Sequence, residues 1–171
     1  IVSEYGIYNA YVVPLLMIPS FIIQAVSTAL VPEVSKSYEL RDHTNIKRRL
    51  KQSLMLSLIL GLISNTVVFL FPEFLLNTIY GTVEGATYIR IMAFIFVLYN
   101  LEGPLSSTLQ ALGHTDLAFR SATAGIIVKT ISLTVFSYFK IGLYGLIVGE
   151  ILDILTIVGL NFINLKKVLK R

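Results

Sequence analysis

The chain contains no cysteine in 171 residues, so it holds no disulfide and no thiol chemistry, and it gives no clue to redox compartment. Histidine is nearly absent as well. His43 and His114 are far apart in sequence and fall in expected loops, which argues against a metal site. There is no GxxxxGK(S/T) phosphate loop and no credible Ser/His/Asp set. These absences leave no case for an enzyme, a bound metal or an organic cofactor. Charge is also scarce: 14% of residues are charged, against about 25% in soluble domains.

Apolar residues fill the space. They make up 55% of the chain, and the mean hydropathy is +0.77. Residues 5–32 and 52–72 carry no charge at all, and about 20 apolar residues suffice to cross a bilayer. The pattern predicts an all-α integral membrane protein, with residues 1–171 forming one helical unit of five spans. These run over about 5–31, 53–71, 88–112, 118–139 and 143–165. The connections 35–52, 73–87, 113–117 and 140–142 are too short for a soluble domain. Pro14 and Pro19 lie inside the first span, where each removes a helix hydrogen bond and is expected to kink it. Pro72 closes the second span and Gly113 C-caps the third. Thr115 is placed to N-cap the fourth, with Asp116 in its first turn. The chain opens IVSEYG, with no Met and no basic n-region before an apolar stretch. No signal peptide is read there, and a segment of a longer protein is expected.

The net charge of +4 is topogenic in so apolar a chain and does not indicate nucleic acid. Lys36, Arg41, Lys47, Arg48, Arg49 and Lys51 fall between the first and second spans, and Arg120 lies at the turn between the third and fourth. Lys166, Lys167, Lys170 and Arg171 follow the fifth. If the spans alternate, all of these share one side and only Arg90 and Lys140 lie on the other. The N-terminus is then outside, and the basic loops and C-terminus are cytoplasmic. The segment 43–52, HTNIKRRLKQ, has the makings of a short basic surface helix. There Lys47, Arg48 and Arg49 would touch anionic head groups or a pyrophosphate, or serve only to set orientation.

Four ionisable residues break the spans: Glu102, Lys129, Glu150 and Asp153. Such residues are costly in a bilayer and usually face a bundle interior or a cavity. Three successive helices each place one near mid-depth. Glu150 and Asp153, three apart, share a helix face, and the simplest arrangement sets Lys129 opposite them, pairing with Asp153. Three carboxylates then face one ammonium, and a proton, a cation or a cationic substrate would balance the surplus. The plainer reading is a structural clamp between two helices. Glu102 precedes Gly103-Pro104, so its helix is expected to break there, and irregular backbone at membrane depth lines cavities. Gln24 and Asn65 are expected to face the interior, and Gly142, Gly145 and Gly149 to let the fifth span pack closely. Tyr5, Tyr8, Tyr11, Tyr80, Tyr88, Tyr138 and Tyr144 gather at the outer ends, as an aromatic belt would.

The stretch YNAYVVPLLMIPSFIIQAVSTALVPEVSKSYELRD, with Pro19 in its apolar run and an ALVPEVSKSY exit, resembles the multidrug/oligosaccharidyl-lipid/polysaccharide exporter superfamily. So do LQALGHTDLAFRSATAGIIVKTISLTVF, where a short LG turn leads into a helix carrying Lys129, and the glycine-rich IGLYGLIVGEILDILTIVGLNFINLKK. The likeness covers nearly the whole chain. It is nearest to the branch of stage V sporulation, polysaccharide biosynthesis and lipid II flippase proteins. It implies a MATE-like transporter of two lobes, this chain being most of the second, with the N-terminal lobe of the same protein as its partner. It also implies a multi-pass protein of the bacterial cytoplasmic membrane that flips a lipid-linked oligosaccharide or peptidoglycan precursor by alternating access. Membrane lipids would be its surroundings, and a proton or sodium ion the coupling species. Lys129 would bind phosphate or pair with Asp153. Two alternatives stand beside this: a cation-coupled multidrug exporter of the same superfamily, and a membrane scaffold that transports nothing.

Overall fold

A computed structural model describes residues 2–139 and 142–170. Lys140 and Arg171, counted above in the charge pattern, lie outside the described residues. Among the described residues there are helices and turns and no strand. Five helical stretches are long and apolar enough to cross a membrane: Glu4–Glu39, His43–Leu70, Ala86–Ala111, Thr115–Tyr138 and Leu143–Val168.

The first stretch is α1 (Val2–Ile7), a π-helical turn (Tyr8–Val12) and α2 (Val13–Glu39) in one continuous run. The π turn answers Pro14. A proline ring collides with the carbonyl four residues back and offers no N–H. Widening the turn, so that the Val13 N–H reaches the Tyr8 carbonyl five residues back, relieves both. Pro19 and Pro32, by contrast, sit inside α2 without ending it.

A tight turn joins α2 to α3 (His43–Leu70). The Arg41 N–H donates to the Tyr38 carbonyl at 3.0 Å and the Asp42 N–H to the Ser37 carbonyl at 2.8 Å. This is the Schellman pattern with arginine in the left-handed position, at φ 56°. The side chain of Asp42 then caps α3 by accepting the Asn45 N–H at 2.9 Å. The basic segment 43–52 is therefore no separate surface helix. It is the first part of a helix that runs unbroken to Leu70, because a good cap precedes it and no breaker follows.

The segment 73–87 is also more ordered than a bare connection. Pro72 starts α4 (Pro72–Tyr80), which Gly81 ends at φ 68°. The third span is split into α5 (Ala86–Tyr99) and α6 (Glu102–Ala111), with the break at Asn100 and Leu101 as expected from Gly103-Pro104. After α6 the Gly113 N–H bonds the Gln110 carbonyl at 3.0 Å and the His114 N–H bonds that of Leu109 at 2.9 Å. Gly113 takes φ 79° at little cost here, where Arg41 occupies the matching place in the other turn. In α7 (Thr115–Tyr138) His114 is the N-cap and Thr115 is already helical, with no side-chain cap bond, so the expected Thr115 cap is not formed. The last helix is α8 (Leu143–Val168).

The helices pack as a bundle and a pair. α2 packs on α3 and α6, and α3 on α5, while α7 packs chiefly on α8. One buried apolar cluster, around Leu15, Leu16, Ile89 and Met92, joins the π turn, α2, α5 and α8. A second, around Val34, Ile46, Leu105 and Leu109, sits at the basic end. Outside, large apolar side chains such as Phe21, Phe94 and Phe119 are exposed, as a lipid-facing surface requires. Tyr8 departs from the aromatic belt: it is buried, edge-on to Tyr88, which meets Tyr144 in the same way.

Candidate functional site

The α7/α8 interface is built on small residues. A Cβ at Gly145 would meet Phe136 Cβ at 2.6 Å, and one at Gly149 would lie 3.5 Å from the Lys129 carbonyl. A Cβ at Gly125 would run into Asp153 Oδ1 and into Ile157 at 2.5 Å. The two backbones can approach only because these positions lack side chains. Gly142 has open space around its Cβ and serves the helix start, with φ 70°, so it is not part of this contact.

Close approach brings the buried charges together. Lys129 Nζ of α7 donates to Glu150 Oε2 of α8, with side-chain exposures of 29% and 19%. The structure thus pairs Lys129 with Glu150, not with Asp153. Because the two helices run antiparallel, Lys129 lies level with Gly149 and Glu150, whereas Gly125 lies level with Asp153 and Ile157. Asp153 sits one turn deeper, against Gly125, and its buried Oδ1 has no hydrogen-bond partner among the described residues. From Leu143, Asp153 is about 15 Å along the helix at its normal rise, half of a hydrocarbon core of about 30 Å. A paired ammonium and an unsatisfied carboxylate therefore share one interface near mid-depth. Such an arrangement can take up a proton or a small cation, or release the lysine to an anion. Two turns further along α8, Asn161 is buried with both side-chain polar atoms unpartnered.

Glu102 does not join this group. It opens α6 at the break in the third span and lines a separate cavity of about 290 Å³ with Ser20, Gln24 and Asn100. Ser20 Oγ donates to Asn100 Oδ1 at 2.8 Å. Gln24 thus faces this cavity, whereas Asn65 is buried in α3 and donates to the Gly61 carbonyl at 2.9 Å.

At the basic end Arg49 forms an ion pair with Glu33 at 2.9 Å, which engages it within the fold, whereas Lys47 and Arg48 form no ion pair among the described residues. The two histidines, distant in sequence, line one cavity of about 910 Å³ together with Arg41, Asp116 and Lys167. The α2–α3 and α6–α7 turns bring them there. His43 is the first residue of α3, so only His114 lies between helices. No group of three or more metal-ligating side chains is present among the described residues.

The model of the MatE family matches residues 9–136, which takes in the π turn, the broken third span and the whole Lys129 helix up to Phe136. The chain belongs to the MatE family. That places it in the multidrug/oligosaccharidyl-lipid/polysaccharide exporter superfamily. This MatE chain is 38% identical over 128 residues to stage V sporulation protein B of Bacillus subtilis (strain 168), covering 75% of this chain and 25% of that protein. It is 23% identical over 170 residues to sporulation protein YkvU of the same organism, covering 99% of this chain and 38% of that protein. The chain therefore spans well under half the length of these curated relatives. No solved structure matches it. The YNAYVVPLLMIPSF and LQALGHTDLAF stretches already resemble this superfamily in the sequence. Neither stretch announced that Glu150 would take the lysine, because that depends on how far α7 and α8 slide past each other.

Proposed function

We propose that this MatE chain is most of the second lobe of an alternating-access transporter that carries a lipid-linked oligosaccharide or peptidoglycan precursor across the bilayer. The reading rests on one observation above all: a Lys129–Glu150 pair beside an unsatisfied Asp153, at mid-depth, in a chain of this family. Outward, the pair holds Lys129 in reserve. On arrival of a phosphate-bearing head group the ammonium exchanges Glu150 for the phosphate, and the freed carboxylates take up a proton or sodium ion. The charge swap keeps the interface near neutral throughout, which matters because an uncompensated charge at that depth is costly. Binding and release change no covalent bond, so the protein works as a carrier and not as an enzyme. The basic end, with Lys47, Arg48 and Lys167, faces the cytoplasm, and the first residues of the chain start outside.

A second reading draws on the acidic surplus. Glu150 and Asp153 outnumber Lys129 at the α7/α8 interface, and Glu102 lines a cavity of its own; this favours a cationic cargo and a cation-coupled drug exporter of the same superfamily.

The test uses the full-length protein in liposomes and follows a fluorescent lipid-linked disaccharide pyrophosphate between leaflets. Movement in wild type that is abolished in Lys129→Met/Glu150→Leu, with folding intact, supports the flippase reading. Movement that survives the double change makes the pair a clamp. Wild-type protein that is folded but moves only an organic cation establishes the second reading.

A further inference from the structure

Away from these charges, α3, α6 and α8 enclose a trough on the outside of the bundle. Two adjoining hollows, of about 640 Å³ and about 360 Å³, share Lys47, Leu50, Leu54, Leu105 and Phe162. Their walls are almost entirely apolar, and no acidic residue lines either one. Because α3 leaves the basic end while α8 returns to it, the trough has lysines at one end only. Lys47 and Lys51 come from the first turns of α3, and Lys166 and Lys170 from the last turns of α8 and just beyond. Lys47 and Lys51, at i,i+4 spacing, point to one side of α3, and Lys166 and Lys170 both line the second hollow. Among the described residues none of the four forms an ion pair, since the cross-chain pairs are Arg49–Glu33, Arg90–Glu73 and Lys129–Glu150.

The length of the trough selects its occupant. From Lys47 to Leu58 it follows roughly three turns of α3, close to 16 Å. That is one leaflet of a hydrocarbon core about 30 Å thick. A transmembrane helix would need a groove through both leaflets, whereas an acyl chain needs only one. We propose that the α3/α6/α8 trough is a binding site for an anionic glycerophospholipid of the leaflet on the basic side. Its acyl chain lies along Leu50, Leu54 and Leu105, and its phosphate sits among Lys47, Lys51, Lys166 and Lys170. The site is separate from the charge pair at the α7/α8 interface, and it stands or falls independently of the transported cargo.

The experiment takes the full-length protein from vesicles of phosphatidylglycerol mixed equally with phosphatidylcholine and counts retained lipids by native mass spectrometry. Wild type should keep phosphatidylglycerol in strong preference to phosphatidylcholine. A surface lysine is worth about fivefold in affinity for an anionic lipid, so Lys47→Gln/Lys166→Gln should weaken retention roughly 25-fold. A second variant tests the trough itself. A Cβ at Gly159 meets nothing within 4 Å, so Gly159→Phe should fill the space and expel the lipid at unchanged melting temperature. Equal retention of the two lipids by wild type would overturn the proposal, as would unaltered retention in both variants. A benzophenone side chain at Met55, which lines the trough, should cross-link to lipid. Cross-linking to the protein's own chain instead would show a helix there and overturn the proposal as well.

Discussion

The α2/α3/α5/α6 bundle and the α7/α8 pair solve the same problem in opposite ways. Both must hold polar groups where there is no water. The bundle relies mainly on neutral groups, several of which bond locally. Ser27 donates to the Ile23 carbonyl at 2.8 Å and Thr108 to the Pro104 carbonyl at 2.8 Å, each to its own helix four residues back. Such bonds need no second helix and survive any sliding between helices. The pair instead uses Lys129, Glu150 and Asp153, whose satisfaction depends on the partner helix and its register. The two regions also differ in cover. Of the most apolar window of α7 only 11% is buried, against 50% for the third span. The charged interface thus belongs to a helix that is little covered except where it packs closely on α8.

The sharpest way to break this comparison is Lys129→Met alone. It leaves two part-buried carboxylates without a cation and should destabilise the detergent-solubilised protein by about 3 kcal/mol. The companion Lys129→Met/Glu150→Leu should recover most of the loss in thermal unfolding. A single variant as stable as wild type would mean that the pair carries no more weight than the neutral bonds of the bundle.

Next in size is Gly125→Leu. Its side chain would meet Asp153 and Ile157, and overpacking of this kind costs about 1–3 kcal/mol. Cysteine cross-linking between α7 and α8 should slow in this variant, while cross-linking between α2 and α3 is unchanged. Loss of both together would make the two regions one cooperative unit.

Within the bundle, Asn100→Ala removes the acceptor of Ser20 at the break in the third span. About 1 kcal/mol is expected, the ordinary worth of one interhelical hydrogen bond in a membrane. A loss as large as that of Lys129→Met would erase the contrast between neutral and charged solutions.

The smallest effect lies at the exposed edge of the bundle, where α4 meets α5. Glu73 opens α4, where a backbone N–H holds its carboxyl below the usual carboxylate range; loss of hydration opposes this, and the Arg90 guanidinium at 2.8 Å adds to the lowering. A carboxyl with a lowered pKa in the folded state stabilises above its unfolded pKa and loses that contribution as the pH falls through the folded value. A slight drop in melting temperature is therefore expected on acidification through the carboxylate range, and it should vanish in Glu73→Gln. The pair is exposed, so a large drop would point to the buried carboxylates instead.

Much of the fold was legible in the sequence because the bilayer imposes length and polarity on every span. The charge-free runs, the split at Gly103-Pro104 and the turn at Gly113 follow from local rules that no neighbour can override. The extension of α3 back to His43 was less visible. The Asp42 cap sits in a polar stretch, where a surface helix and a continued span have the same composition. The i,i+4 spacing of Lys47 with Lys51 and of Lys166 with Lys170 was present as a signal, but it acquires meaning only when the two helix ends are known to meet.

What the sequence determined by itself was a five-helix membrane architecture with charges at mid-depth in its last helices, since each of these depends on composition and period along one chain. Tertiary structure alone decided which carboxylate takes Lys129, that Asp153 Oδ1 has no hydrogen-bond partner among the described residues, that His43 and His114 share a cavity, and that four lysines crown one apolar trough. Those outcomes depend on distances between helices of a few ångströms. Such distances are set by which small residues face each other, as Gly125 faces Asp153 and Gly145 faces Phe136, and no pattern along a single helix encodes the side it will be matched against.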